Sequence, residues 1–345
     1  MQDQIVDYTK AFANYGFPES HAYSFALLAY ASAYYIIHFR ACFMAAMFNN
    51  YPLGFYSAAT LVKDAQRHGL HFLPLDINRS DHLFTVEEDE GEKKVRVGLR
   101  FVKGLREDVA KKIVEERNRC SFYTSIADLI DRVPEINKRE IRALSLAGAL
   151  NFDNTVHRRQ ALWESELAIQ PEGELWCRSP RVSKGVSGMS DVTPSLTVGP
   201  PQGEPAFLSR MEGLQLVEAD IRKTGISIGK HPMAFVREEM KRRGVLTTIE
   251  ARDLKKNDVA SVAGAVIIRQ RPMTAKNVVF LTVEDETGFA NFVVMPDMFE
   301  RYREAITQND FLIIRGIFEE RGMLKALHFT PIDASTAKVE SHDFR

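Results

Sequence analysis

The sequence predicts a multidomain chain, α-helical through its N-terminal half and all-β near its C-terminus. Three observations carry that expectation. Residues 95–152 read as two helical hairpins in tandem, each bent around a glycine turn. Residues 171–205 interrupt the order with Gly, Pro, Ser and Thr, as a linker does. From Asp258 onward the apolar pattern changes to that of strands.

The hairpins come first because the chain is organised around them. The first runs through residues 97–105, with Gly104 at its turn, into a basic helix over 107–119; the second closes at Gly148. Glycine at such a turn supplies the left-handed backbone that other residues resist. The free N–H groups of a helix start can then face a phosphate. Lys103, Arg106, Lys111 and Lys112 cluster at the first hairpin, and Lys138, Arg139 and Arg142 near the second. This is the pattern of a helix-hairpin-helix pair that grips a nucleic-acid backbone without reading sequence. An ordinary helical subdomain with a solvated basic face fits the same residues.

Composition narrows the alternatives. The chain has 345 residues, which suggests two or three domains, and a net charge of -1, so any nucleic-acid binding must come from local patches. Cys42, Cys120 and Cys177 show no metal-ligand spacing and fit a reducing cytoplasm. The apolar run over residues 25–48 is long, but Ser32, His38, Arg40 and several tyrosines make it a buried helix and not a membrane span.

Residues 1–50 read as helical, with a break at Gly16 to Pro18 and Ser20 as the cap of a helix starting at His21. His21 and Phe25, four apart, share a face. A satisfied histidine near a helix start is the plain reading of His21; a polar group facing an anionic ligand is the functional one. Residues 57–68 form an amphipathic helix stopped by Gly69. Two strands around the acidic run Glu87 to Glu90 make a hairpin with a solvated, charged tip, not a metal site. Beyond the linker, helices are expected over 214–223 and 233–243.

The β region reads as strands over 259–271, 278–284 and 290–295, a helix over 299–307, then strands over 311–318 and 323–329. Three strands, a helix and two strands is the order of an OB-fold barrel. Val279, Leu281 and Val283 alternate inward, which turns Phe280 and Thr282 outward. Arg269, Arg271, Lys276 and Arg315 add charge around that face. An exposed aromatic on a basic surface suits single-stranded nucleic acid, one part tracking phosphates and the other stacking bases. A barrel used only for packing is the alternative.

Beyond these patterns lies a family resemblance. Residues 16–22, GFPESHA, with 24–30, SFALLAY, resemble the fingers of bacterial C-family DNA polymerases, which include the DNA polymerase III alpha subunit. The motifs at 54–57, 65–69, 74–78, 157–163, 224–225 with 231–233, 269–272, 280–288 and 341–345 look like the error-prone branch. The resemblance covers nearly the whole chain except the linker.

It implies a layout: the C-terminal part of polymerase fingers at 1–96, tandem helix-hairpin-helix at 97–153, basic helix and linker at 154–210, helical connector at 211–250, OB domain at 251–335 and a tail at 336–345. It implies that Ser20, His21 and Phe25 lie near the incoming nucleotide. It also places Lys103, Gly104 and Gly148 near duplex backbone, and the face of Arg269 and Phe280 near single-stranded template. The palm carboxylates that bind catalytic Mg2+ in that family are not found here, so the chain is expected to be inactive alone and to need the missing N-terminal part. Sliding-clamp and accessory mutagenesis proteins are the other partners implied, although Gln215, Leu216 and Val217 make too weak a clamp motif to use. A stand-alone DNA-binding module is the competing reading. Arg40 stands where a helix-ending proline is expected, Phe101 where a polar residue is usual, and Asn277 where glycine is expected.

Overall fold

The computed structural model describes residues 19–54, 57–89, 91–152, 156–168, 208–272, 277–319, 322–332 and 342–344. The expected break at 16–18, the linker at 171–205 and Lys276 lie outside these residues.

Helices α1 (Glu19–His38) and α2 (Arg40–Asn49) meet at Phe39 with a bend of 119°. Ser20 lies within α1 and does not cap it. The helix does end where a proline was expected. Arg40 is the first residue of α2, a position that suits proline, and its guanidinium donates to the His68 carbonyl. Burial, expected for the whole run, holds for α2 and not for α1. Ala41, Met44, Ala45 and Phe48 enter the core, whereas Tyr23, Phe25, Leu27, Leu28 and Tyr30 stand in solvent. Apolar composition predicts that a helix wants cover; it does not supply the element that covers it. No single helix among the described residues is long and apolar enough to cross a membrane; α1 and α2 meet the length and composition only as a bent pair.

Helix α3 (Ala58–Arg67) is capped by Ser57, whose hydroxyl accepts from the Thr60 N–H at 3.1 Å. Strands β1 (Phe72–Leu73), β2 (Thr85–Asp89) and β3 (Glu92–Arg96) form a small sheet in the order β1-β3-β2. The β2–β3 hairpin is the one the sequence predicts. Its acids are matched across the strands, Glu87 with Arg96 at 2.8 Å and Asp89 with Lys94 at 2.7 Å.

A 3-10 turn (Leu99–Phe101) leads into α4 (Glu107–Arg119), followed by α5 (Ile126–Arg132), α6 (Lys138–Ala147) and α7 (Arg158–Ala168). The leading helix of the first hairpin is therefore a single 3-10 turn. Leu99, Ile113, Leu129, Ile141 and Leu144 form the centre of this core. Phe101 belongs to it, edge-on to Phe84 with ring centroids 4.7 Å apart, which explains an aromatic at a position expected to be polar.

Helices α8 (Leu214–Thr224) and α9 (Pro232–Arg242) connect the halves. Ile226 between them completes the helical core, and Met233 and Met240 pack with Ala263, Ala265, Phe311 and Ile313 of the β domain.

That domain comprises β4 (Val259–Gln270), β5 (Val279–Glu284), β6 (Phe289–Val294), α10 (Pro296–Arg301), α11 (Arg303–Gln308), β7 (Phe311–Phe318) and β8 (Met323–Pro331), with β9 (His342–Phe344) running parallel to β4. The sheet runs β5-β6-β8-β7-β4 and closes through β4–β5, with β6–β8 the parallel pair inside the barrel. First, second, third, fifth, fourth and back to first is the OB-fold barrel expected from the strand order. The helix expected over 299–307 is broken at Tyr302 into α10 and α11. Val279, Leu281 and Val283 point into the core, and Phe280 and Thr282 turn away from it. Asn277 takes the left-handed backbone expected of a glycine, with φ 65°, which asparagine tolerates better than most residues.

Candidate nucleic-acid interface

Sequence places two basic clusters 35 residues apart, and the fold brings parts of both to one groove. The groove encloses about 840 Å³ and is lined by Lys103, Gly104 and Arg106 from the first hairpin, by Asn137, Arg139 and Arg142 from the second, and by Lys223 of α8. Gly104 turns the chain with φ 93°, and nothing lies within 4 Å of where its Cβ would be. The turn therefore needs glycine for its backbone and leaves an open surface above it. The Lys103 N–H donates to the Lys223 carbonyl at 2.7 Å, which brings α8 to the edge of the groove. Lys223 escapes sequence reasoning because it reads as an ordinary basic residue in the last turn of a helix.

Two helix starts meet at the same place. Asn137 caps α6 in a capping box: its side chain accepts from the Arg139 and Glu140 N–H groups, and Glu140 accepts from the Asn137 N–H at 2.9 Å. Glu140 also accepts from the N–H and Nε of Arg106, the residue that precedes α4. Burial pushes the Glu140 carboxyl up, but these hydrogen bonds outweigh it and hold its pKa below the usual value. The Arg106 pKa rises in turn, chiefly through its hydrogen bond to Glu140.

The remaining cations of the hairpins are placed less simply than their sequence clusters suggest. Lys111 pairs with Glu107 at 2.7 Å and Lys112 with Glu135 at 3.1 Å, and neither lines the groove. Lys138 pairs with Glu166 at 2.9 Å, and Arg142 shares the same carboxylate. Hydrogen bonds from Arg142 and then Lys138 hold the Glu166 pKa down to about 2. Arg139 is exposed at the groove, with no ion-pair partner for its side chain among the described residues. Gly148 is placed differently from Gly104. It caps the C-terminal end of α6 with φ 81°, and a Cβ there would stand 2.6 Å from Arg158 Nε. A helix C-terminus offers carbonyls and not N–H groups, and the space beside Gly148 is already filled by Arg158.

The barrel face also differs from the expected one. Arg269 is buried and donates to the carbonyls of Ile306 at 2.8 Å and Asn309 at 2.7 Å, tying β4 to the end of α11. It is not part of an exposed basic surface. Arg271 is exposed and lies over the Phe299 ring at 5.2 Å. Arg315 is exposed on β7, opposite Ser261 of β4 and His328 of β8. Phe280 is half-buried on the outer side of β5, opposite Val293 of β6. On α1, His21 and Phe25 share one exposed face, their ring centroids 4.6 Å apart, and Ser20 is exposed beside them. Among the described residues no group of three or more His, Cys, Asp and Glu side chains could hold a metal ion.

Helices and barrel are joined by a buried polar junction that sequence reasoning missed. Lys63 of α3 donates to the Gly229 carbonyl at 2.5 Å, and Gln66 to the Ile228 carbonyl at 2.7 Å. Arg67 pairs with Glu284 of β5 at 2.8 Å. Burial lowers the Lys63 pKa to about 8 and raises that of Glu284 to about 7. No sequence signal pairs these residues, because their partners lie more than 150 positions away.

Glycine-turned helices that gather cations over a groove, joined to an OB barrel, place the chain among nucleic-acid-binding architectures. The helix-hairpin-helix motif family matches residues 69–161. The chain is 35% identical over 342 residues to an error-prone DNA polymerase of Methylococcus capsulatus, covering 93% of this chain and 30% of that protein. Its identity to the error-prone DNA polymerase of Anaeromyxobacter dehalogenans strain 2CP-C is 38%, with coverages of 93% and 27%, and to that of Burkholderia pseudomallei 34%, with coverages of 99% and 31%. The chain is thus a homologue of the error-prone DNA polymerases along almost all of its length, and it spans less than a third of theirs. Among solved structures, the telomere capping protein Ten1 from Saccharomyces pombe matches 26% of this chain and 79% of its own at 18% identity and a TM-score of 0.18. The barrel assignment rests on strand order and not on that likeness.

Proposed function

We propose that the chain is the DNA-binding, C-terminal portion of an error-prone polymerase that copies damaged template. In this reading the groove holds the backbone of the template-primer duplex and the outer face of the barrel receives single-stranded template. Ser20, His21 and Phe25 face the incoming nucleotide. The partners in this reading are the polymerase's N-terminal part, whose palm would hold the catalytic Mg2+, and a sliding clamp or accessory mutagenesis proteins. The observation that carries the reading is the groove itself, where Lys103, Arg106, Arg139, Arg142 and Lys223 converge from three segments around two helix starts.

The experiment is duplex binding by the full chain across a salt series. Phosphate contacts release counterions, so affinity should fall steeply with salt and depend little on sequence. Arg139→Ala and Lys103→Ala should each weaken all duplexes alike and lower the salt slope by about 1. Unchanged affinity and slope in both variants, with the fold intact, would remove the groove from the DNA interface.

A further inference from the structure

Glu166 is the half-buried carboxylate among the groove-lining residues, since the other lining acid, Glu140, is buried between two helix starts. It enters from α7 and meets Lys138 and Arg142, which stand four apart on one face of α6. Lys138 Nζ lies 2.9 Å from Glu166 Oε2 and Arg142 Nη2 lies 2.7 Å from the same oxygen; Arg142 Nε closes on Oε1. The guanidinium fork thus holds a two-oxygen anion side-on while an ammonium approaches from beside it. The same fork geometry fits two oxygens of a phosphodiester.

We propose that Lys138 and Arg142 form a phosphodiester subsite at the edge of the groove, and that Glu166 is its internal occupant, displaced when a nucleic-acid backbone enters. The proposal rests on the groove being the DNA interface. Glu166 neutralises one of the strongest phosphate-binding groups there until DNA competes for it, so the acid sets a threshold on binding.

The fold does not need Glu166 to keep α7 in place. Arg158 pairs with Asp220 at 2.6 Å, the Ser145 and Ser165 hydroxyls meet at 2.8 Å, and Ala161 is buried. Glu166→Gln keeps the shape and removes the charge. Glu164, on the same helix and bonded to Gln160, supplies a control of equal charge change.

The test uses the full chain and a fluorescein-labelled duplex of mixed sequence, read by anisotropy at fixed salt. Glu166→Gln should tighten binding about tenfold, as expected for freeing two cations from one carboxylate, while Glu164→Gln stays within about twofold of the parent. Arg142→Ala should cost little in the parent, where Glu166 already occupies the guanidinium, and about tenfold in the Glu166→Gln background; that difference isolates the pair. Binding by Glu166→Gln alone, with a silent parent, would also support the proposal. If Glu166→Gln binds like the parent while Arg139→Ala weakens both, the subsite is wrong and the groove stands. If neither parent nor Glu166→Gln binds duplex at low salt, groove and subsite fall together.

Discussion

Arg106 and Glu140 lock the starts of two helices to each other: the Arg106 N–H and Nε reach one Glu140 oxygen at 3.1 and 2.9 Å, and the other oxygen caps α6. One buried carboxylate thus serves both hairpins. Glu140→Gln keeps an oxygen but loses the charge that draws these donors together. Hydrogen bonds to charged groups are worth about 1.5–3 kcal/mol, and the variant should lose stability in that range. Urea unfolding of the full chain reads this as a lower midpoint at constant slope. A midpoint equal to the parent's would mean that the bridge contributes nothing.

The two hairpin glycines should differ when substituted. Gly104→Ala meets open space, so its cost is the left-handed backbone alone, about 1–2 kcal/mol. Gly148→Ala adds a clash with the Arg158 guanidinium, and moving that side chain away gives up its ion pair with Asp220, so it should cost more. Thermal melts of the two variants should rank Gly148→Ala below Gly104→Ala; the reverse order would refute the packing argument.

On the barrel, Arg269 and Phe280 should separate stability from binding. Arg269→Ala strands two carbonyls at the end of α11 and should cost about 2 kcal/mol of stability, with single-strand affinity per folded molecule unchanged. Phe280→Ala should do the opposite, losing about 1–3 kcal/mol of binding to an oligothymidylate if a base stacks there. Measuring melting temperature and anisotropy on the same preparations tests both, and a binding loss confined to Arg269→Ala would invert the assignment.

His231 makes acid stability predictable. Its ring is buried and its Nδ1 accepts from the Met233 N–H at 3.1 Å, so it caps α9 only while neutral. Burial, reinforced by Lys63, lowers its pKa to about 3. Between about 3 and the ordinary value of 6.5 the unfolded chain binds a proton that the folded chain does not, so stability falls as pH drops through that window. His231→Asn keeps a cap acceptor and removes the titration. The parent should lose about 2–3 kcal/mol more than the variant between pH 7.5 and pH 4.5 in urea unfolding. Parallel pH profiles would show that the ring is not held neutral.

The barrel was legible in the sequence because β5 and β6 alternate, β4 and β7 read as continuous apolar runs, and a closed sheet has few orders to choose from. Val279, Leu281 and Val283 are the clearest case. Arg269 was misread because a register shift between Val266 and Ile268 changes the side-chain parity along β4, which residue-by-residue counting does not see. The cations of the hairpins were legible as residue types, but their availability was not. Whether Lys112 is available depends on Glu135, and whether Arg142 is available depends on Glu166, each on a separate segment. Helix α1 shows the same gap from the other side. Its composition demands cover, and only the assembled structure shows that its apolar side chains remain open.

The buried strut from α3 to Gly229 and Glu284 has a further consequence. Because helices and barrel share it, the groove and the barrel face, the two grips of the proposed reading, are held on one frame instead of on a slack tether. A nucleic acid caught by one is presented to the other as if at about millimolar concentration or above, and the two modest contacts multiply. Loosening Lys63 or Arg67 should therefore shorten the residence time of a primer-template that spans both grips, while leaving each grip's affinity for its own short ligand as it was.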